Sequence, residues 1–228
     1  MRSIMVRVLG LCLVPLLFVG TANAATSSRV VGYWPMTETA GSVLHDRSGN
    51  HLDGTIGPGI VLTGKYLGFP YIPHKVEDPE REVSVPDNPM LDPGKGYFSV
   101  SVDIWWGPRI DRNIVQKGQG SPVGGMFKIK SSIYEPAGSV FCLFRGPLGD
   151  STVKTQANLV DKHWHNITCT RSATGVRIFV DGKFVDYNPK PTGYIDNNWP
   201  LAIGGNTYCP VTECNYWNGH IRSLTITK

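Results

Sequence analysis

Acidic side chains are the first residues in this sequence to consider for chemistry, because a pair of carboxylates carries out most glycoside hydrolysis. In retaining enzymes the two groups lie about 5–5.5 Å apart, and acids at alternate positions of one strand face the same way. The acidic cluster of the chain consists of Glu77, Asp78, Glu80 and Glu82, and Pro79 interrupts it. Because proline is excluded from central strands, the cluster indicates a solvated loop, and we predict a non-catalytic protein.

Aromatic residues beside amides and acids are the second candidate. Sugar recognition places an exposed ring against the apolar face of a pyranose, while amides and carboxylates bond its hydroxyls. Two segments have this composition, 194–199 (YIDNNW) and 206–218. The predicted ligand contacts within them are Asp196, Asn197, Trp199, Asn206, Tyr208 and Trp217. Core packing is the alternative for each tryptophan, since these rings are more often buried than displayed.

Other reactive arrangements are missing from the sequence. His163 and His165 flank Trp164 and would share one strand face, but two ligands do not make a metal site, and we interpret the pair as structural. There is no G-x-S-x-G turn, no H-E-x-x-H pair and no glycine loop of the kind that binds phosphate. The sequence therefore favours binding over catalysis.

The N-terminal residues predict a cleaved secretory signal. Arg2 and Arg7 flank the start of an uncharged apolar run over 8–20, and small residues follow at Ala22 and Ala24. The run is shorter than the ~20 residues that span a bilayer. We expect residues 1–24 to be removed and residues 25–228 to form one secreted domain without a transmembrane segment. The formal net charge of +4 loses two arginines with the signal, so it gives no indication of nucleic-acid binding.

Cysteine usage agrees with export. Cys12 leaves with the signal, and an even number of cysteines in an exported chain indicates disulfides. The remaining cysteines are Cys142, Cys169, Cys209 and Cys214. Their spacing lacks the paired C-x-x-C motif of zinc sites, and it leaves all three disulfide pairings open.

Short strands must position all of these residues. Apolar and polar residues alternate over 97–106 (YFSVSVDIWW), and no stretch keeps helical spacing. Asp181-Gly182 predicts a tight hairpin, and the proline-rich stretch 67–93 predicts a long surface loop. With 26 glycines, 17 prolines and only 18% charged residues, the composition favours an all-β sandwich over a helical bundle.

Several of these segments together resemble the laminin G-like, concanavalin A-like jelly-roll family. Residues 33–38 (YWPMTE) and 46–50 (DRSGN) look like its first strand and turn. The most specific segments are 164–171 (WHNITCTR), 175–182 (GVRIFVDG) and 216–221 (YWNGHI). The resemblance runs in order over nearly the whole of residues 25–228. It implies an all-β fold, an antiparallel β-sandwich of the concanavalin A-like jelly-roll type, in a family that hosts lectin-like and adhesion modules.

The resemblance also implies a disulfide pattern. It places Cys142 and Cys169 in two neighbouring strands, and Cys209 and Cys214 on either side of a short loop before the last strand. The implied pairs are therefore Cys142–Cys169 and Cys209–Cys214.

Calcium is the cofactor that the resemblance raises, because some domains of this kind hold it in the turn after the first strand. Asp46 and Asn50 occupy that turn here. A turn whose Asp and Asn side chains bond only their own backbone is the alternative. The last strand has His220 and Arg222 in a stretch where family members often carry acids.

We expect a secreted binding module whose partner is carbohydrate or a surface glycan. A protein-binding adhesion or structural module of the cell surface, which would recognise an extracellular protein, is the alternative, and a glycoside hydrolase comes third. Exposed aromatic rings flanked by amides favour sugar, whereas a contiguous apolar patch would favour a protein partner.

Overall fold

The computed structural model describes residues 28–71, 81–107, 112–120, 123–132, 136–206 and 215–228. The predicted signal and the Cys209–Cys214 pair lie outside them. The described residues form strands and a single turn of 3-10 helix, Pro89–Leu91. The strands are β1 (Val30–Trp34), β2 (Val43–Leu44), β3 (Gly54–Ile56), β4 (Val61–Leu62), β5 (Leu67–Phe69), β6 (Val83–Val85), β7 (Phe98–Trp106), β8 (Asn113–Gly118), β9 (Met126–Ser132), β10 (Ser139–Gly146), β11 (Gly149–Lys154), β12 (Trp164–Ser172), β13 (Gly175–Val180), β14 (Lys183–Asn188), β15 (Leu201–Ile203) and β16 (Gly219–Thr227).

The strands form two antiparallel sheets that face each other. Sheet I has the order β14-β13-β12-β7-β16-β5-β4, with β1 paired to β16. Sheet II has the order β11-β10-β9-β8-β15-β6-β3-β2. The predicted antiparallel β-sandwich is confirmed. Among the described residues there is no helix with the length and apolarity that a membrane span requires.

Strand β7 shows why the sequence folds this way. Its apolar residues, from Phe98 through Val102 to Trp106, are buried, while the residues between them face the outside of sheet I. This period of two is what a sheet with one covered face requires. Of the two adjacent tryptophans, Trp106 enters the core and Trp105 points outward, because successive residues of a strand face opposite sides.

Aromatic rings from both sheets fill the core. Phe98 of sheet I lies 5.1 Å from Phe127 of sheet II, measured between ring centroids. Trp106 and Trp217 lie 5.7 Å apart in the same way. The buried Trp34 donates its indole N–H to the carbonyl of Leu52 at 2.8 Å, which satisfies its polar atom away from water.

One disulfide crosses this core. Cys142 in β10 is bonded to Cys169 in β12, so the predicted pairing is confirmed. The expectation that these strands are neighbours is wrong, because β10 belongs to sheet II and β12 to sheet I. The bond therefore joins the two layers, and both cysteines are fully buried.

Two predicted connections have different outcomes. Asp181 and Gly182 both have positive φ, 51° and 74°, and join β13 to β14 in the predicted hairpin. The stretch 67–93 is not a plain loop, since it contains β5, β6 and the 3-10 turn; residues 72–80 within it lie outside the described part. Residues 82–85 do alternate in sequence and contain β6, whereas β5 has only three residues, too few to show alternation.

Candidate functional site

The candidate site lies at one rim of the sandwich, where the connection from β14 to β15 meets the turn before β7. Gly94 and Ile195 exchange two backbone hydrogen bonds of 2.8 and 3.1 Å. Asp196 donates its N–H to the carbonyl of Gly124, in the connection between β8 and β9. Ile195 is fully buried and anchors the segment to the core. Three connections are thus held together at one place.

Arg171, at the end of β12, fixes this rim from inside. Its Nη1 donates to the carbonyls of Gly94 and Gly96 at 3.0 Å each, and its Nη2 donates to the carbonyl of Gly193. Its Nε donates to the hydroxyl of Thr192 at 3.2 Å. Burial lowers the pKa of Arg171, but a guanidinium still keeps its charge at any ordinary pH. The cation therefore ties two loops together.

Lys117 forms a second buried centre under the same rim. Its fully buried ammonium lies 2.7 Å from Asp92 and 2.8 Å from Asp87, and it donates to the carbonyl of Asn197 at 2.7 Å. Burial raises the pKa of Asp92, although the Lys117 ammonium acts in the opposite direction. Charges this deep are costly unless they are paired, and here each has a partner. The ion pairs and hydrogen bonds of Lys117 therefore fix the backbone that carries the exposed residues of the rim.

A shallow groove opens above these centres. Its lining includes Tyr194, Lys95, Leu148 and Pro191, with Arg171 at its base, and its volume is about 190 Å³. The ring of Tyr194 is 49% exposed, and its hydroxyl donates to Asp196 Oδ2 at 2.7 Å. That hydrogen bond raises the pKa of Tyr194 and holds the Asp196 carboxylate beside the Tyr194 ring. The groove thus offers an aromatic surface, a carboxylate and an ammonium in one place.

The structure separates the predicted ligand contacts. Asp196 is exposed beside the groove, as a contact must be. Asn197 is 6% exposed, and its amide donates to the carbonyl of Gly125 at 3.2 Å, so it supports the rim from below. Trp217 is 1% exposed and packs against Trp106 in the core. The ligand roles predicted for Asn197 and Trp217 are therefore wrong, because both side chains face inward.

The other predicted contacts lie elsewhere. Trp199 is half-buried and lies five residues after Tyr194, the aromatic residue of the groove. Asn206 lies past the opposite end of β15, where its Oδ1 accepts a hydrogen bond from Asn113. Tyr208 lies outside the described residues. Asp196 and Asn206, one from each of the two predicted segments, thus lie beyond opposite ends of β15.

The predicted calcium turn bonds its own chain. The carboxylate of Asp46 accepts the backbone N–H groups of Tyr33, Ser48 and Leu52 at 2.8–3.0 Å. Burial acts to raise the pKa of Asp46, but these hydrogen bonds outweigh it and lower the pKa. Asn50 Oδ1 accepts from the Arg29 guanidinium at 3.0 Å. Both predicted ligands thus accept hydrogen bonds from the chain itself, which favours the structural turn over a calcium site.

The described ranges contain no group of three acidic, histidine or cysteine side chains placed to hold a metal ion. His165 has two carboxylate partners, Asp161 and Asp181, and holds the end of the β13–β14 hairpin. The structural role predicted for His163 and His165 stays a prediction, and these contacts support it for His165 alone, since His163 is 76% exposed.

Sequence reasoning missed several residues of the groove. Lys95 and Leu148 belong to turns far from 194–199 in the chain, and only the folding of the rim brings them to Tyr194. Tyr194 itself lay in the predicted segment but was not among the predicted contacts. The signal that could have found it is its position between Gly193 and a buried isoleucine, since strand alternation next to Ile195 turns Tyr194 outward.

Comparison with known sequences identifies the family. The profile of the concanavalin A-like lectin/glucanases superfamily, of the laminin G-like type, matches residues 82–228. The chain belongs to this superfamily. No curated protein sequence matches the chain.

Solved structures of similar fold include the binding domains of two toxins and one domain of an arabinanase. The binding domain of Paraclostridial Mosquitocidal Protein 1 is 16% identical, with a TM-score of 0.64 over 87% of this chain and 48% of that one. Domain 4 of AbnA, an extracellular arabinanase from Geobacillus stearothermophilus solved with arabinotriose, is 16% identical, with a TM-score of 0.62 over 88% and 93%. The binding domain of botulinum neurotoxin DC, solved with SialylT, is 14% identical, with a TM-score of 0.58 over 87% and 47%.

This chain covers a different share of each neighbour. It spans about half of each toxin binding domain, but nearly all of the arabinanase domain. At such low identity the likeness shows the shared jelly-roll fold, and the roles of individual residues do not carry over.

Proposed function

We propose that the protein is a secreted, non-catalytic module that binds carbohydrate, and that the groove beside Tyr194 is a contact site. The observation that carries the proposal is the half-exposed Tyr194 ring with the Asp196 carboxylate hydrogen-bonded to it. A pyranose has an apolar face for the ring and hydroxyls for the carboxylate. Structural neighbours solved with arabinotriose and with SialylT support this ligand class.

The support beneath the groove favours binding by a rigid site. Arg171 and Lys117 fix the backbone around Tyr194 through buried hydrogen bonds, so little conformational entropy is lost when a ligand arrives. The buried disulfide and the predicted signal support a location outside the cytoplasm, where disulfides persist.

A protein partner is the second candidate, and one observation favours it. Leu148 is 62% exposed next to the groove, and Tyr97 is 48% exposed on the adjacent turn. Apolar surface of this kind is typical of protein-binding sites. The interspersed Lys95 and Asp196 make the surface mixed instead of contiguous, which favours sugar.

A glycan array followed by titration calorimetry tests the proposal. We expect Tyr194→Ala to weaken binding of the selected oligosaccharide about five- to tenfold, as the loss of one aromatic contact predicts. Phe184→Ala is the matched control, because Phe184 on β14 is an exposed ring (59%) that does not line the groove. Absence of binding across a broad array would refute the proposal, and release of reducing ends from a bound polysaccharide would refute its non-catalytic part.

A further inference from the structure

A second cluster of aromatic rings lies on the outer face of sheet I. Trp105 on β7 lies directly opposite Trp164 on β12 and His220 on β16. Tyr66, immediately before β5, joins them from the next strand. All four side chains are half-buried, so each keeps part of its surface in solvent. We call these residues the outer aromatic cluster.

The rings form one continuous cluster. His220 is in its middle, with centroids 4.9 Å from Trp105 and 4.5 Å from Tyr66. Trp164 lies 5.8 Å from Tyr66 and 6.4 Å from His220. Burial lowers the pKa of His220, so its ring is uncharged at neutral pH. Contacts among the rings stabilise the sheet, but they do not require the outward surface to be aromatic instead of aliphatic.

Hydrogen-bonding groups border the outer aromatic cluster. Asp103 accepts from Asn166 at 2.7 Å, from Ser223 at 3.1 Å and from Arg222 at 3.2 Å. The guanidinium of Arg222 also lies 4.7 Å from the Trp164 ring. The carboxylate and the guanidinium neutralise each other, so this part of the face carries no net charge. The polar groups are already fixed in position, which lowers the entropic cost of using them.

Together these features match a carbohydrate better than a protein. Apolar ring surface stands beside donors and acceptors, as the two faces of a sugar require. A row of polar side chains interrupts the apolar surface, which is unlike the apolar centre of a protein interface. Asp103 balances the charge of Arg222, so the pair offers an acidic polymer no excess positive charge, which favours an uncharged ligand.

The shape of the face indicates the length of that ligand. The groove beside Tyr194 is smaller than the roughly 300–1,000 Å³ pockets that hold drug-sized ligands, so it suits a single sugar ring. The outer aromatic cluster lies on the face of sheet I, with half-buried side chains from β12, β7 and β16 and from Tyr66 next to β5. A chain can cross such a face and continue past it.

We propose that the outer aromatic cluster, with Asp103 and Arg222, binds an internal segment of a linear, uncharged polysaccharide. This inference rests on the proposed carbohydrate-binding function, but it concerns a different surface from the groove. The protein then has two contacts on one module, one for a single sugar ring and one for the length of a chain, and long chains gain from engaging both.

Binding of soluble linear arabinan, xylan and β-glucan, compared with their trisaccharides, tests the proposal. We expect Trp164→Ala to weaken binding of the polysaccharide about tenfold and to leave trisaccharide binding unchanged, while Tyr194→Ala weakens both. Arg222→Gln should reduce polysaccharide binding less, because it removes the charge and keeps an amide. Phe184→Ala again serves as the control, and thermal unfolding of each variant checks that it folds.

Trp164→Phe keeps a ring at this position and should retain binding, which protects the test if Trp164→Ala fails to fold. Polysaccharide binding by folded Trp164→Ala at the wild-type level, with trisaccharide binding intact, would overturn this inference and leave the groove proposal standing. If the wild type bound no carbohydrate, both this inference and the groove proposal would be overturned. A wild-type dimer that Trp164→Ala converts to a monomer would make the face a self-association surface and also overturn the inference.

Discussion

At the scale of single residues, the buried cations of this protein act as structural groups beneath the groove. Arg171 and Lys117 satisfy backbone carbonyls and carboxylates that the folding of the rim takes out of water. A buried carbonyl without a donor costs about 1–3 kcal/mol. The stability that a buried cation contributes therefore depends on how many buried carbonyls and carboxylates it bonds.

Replacing Arg171 by methionine should therefore lower the free energy of unfolding by about 2–4 kcal/mol, because several buried carbonyls lose their donor while the apolar volume is kept. Urea titration measures the change. Arg177→Met is the matched control, since Arg177 on the next strand is half-buried and its guanidinium lies over the Tyr187 ring. Its effect should stay below about 1 kcal/mol. Equal effects of the two substitutions would contradict this account.

His165 should make stability depend on pH. Burial acts to lower its pKa, but Asp181 at 2.9 Å and Asp161 at 3.1 Å outweigh it and raise the pKa above the ordinary value near 6.5. The folded state thus favours the protonated ring, and this contribution is present below pH ~6.5 and lost as the pH rises through the folded pKa. Between pH 6 and 9, the unfolding free energy should fall more for the wild type than for His165→Gln.

His163→Gln provides the comparison, because this histidine is 76% exposed and has only Asp161, at 3.4 Å, as a carboxylate neighbour among the described residues. The difference between wild type and variant should be larger for His165→Gln than for His163→Gln. Parallel profiles for His165→Gln and the wild type would show that His165 does not gain protons on folding.

At the scale of secondary structure, the Cys142–Cys169 disulfide is a covalent cross-link between the facing surfaces of the two sheets. Cys142 and Cys169 are 27 residues apart in sequence, so the bond closes a moderate loop in the unfolded chain. The chain-entropy model gives about 3 kcal/mol for a loop of this order.

The Cys142→Ala/Cys169→Ala protein should therefore unfold at lower urea concentration, with a loss of about 3 kcal/mol. Because both sulfurs are buried, dithiothreitol should reduce this bond in native wild type far more slowly than in 6 M urea, roughly in step with global opening. Alkylation and peptide mass mapping measure the two rates. Rapid reduction in the native state would show that the sheets separate locally.

The turn between β8 and β9 should control the groove through Gly124. A methyl group there would lie 2.2 Å from the Asp196 carbonyl oxygen, and φ is +79°. Gly182 has φ +74° with nothing within 4 Å, so Gly182→Ala carries the same backbone strain, about 1–2 kcal/mol, without the clash. We expect Gly124→Ala to lose more stability than Gly182→Ala and to weaken oligosaccharide binding. Unchanged binding in Gly124→Ala would separate the turn from the site.

At the scale of the whole molecule, the fold was predictable and most of the site was not. Alternation over 97–106 and the Asp181-Gly182 turn are local signals, and both elements formed as predicted. Whether Asn197 or Trp217 faces solvent depends on strands far away in sequence, such as β7 and β8, so local composition could not decide it. The groove likewise needs Lys95 and Leu148 from separate turns.

The secretory signal remains a prediction for the whole chain. Expression of the complete sequence in a secreting bacterial host should yield an exported protein that begins at Ala25, since residues 22–24 match the pattern a signal peptidase reads. Intact-mass spectrometry checks both the cleavage position and the oxidation of the cysteines. An Ala22→Arg/Ala24→Arg variant should remain uncleaved. Retention of residues 1–24 in the exported wild type would contradict the prediction.

The two ends of the sandwich lie side by side. Arg29 and Lys228 exchange backbone hydrogen bonds, and β1 runs antiparallel to β16 from that point. A stretching force applied between the two ends would therefore break the hydrogen bonds between β1 and β16 one after another. It would not load all of these bonds at the same time. Held by its ends, the module would yield mechanically at low force, however high its thermal stability, and Trp34 would leave the core with the first strand to peel away.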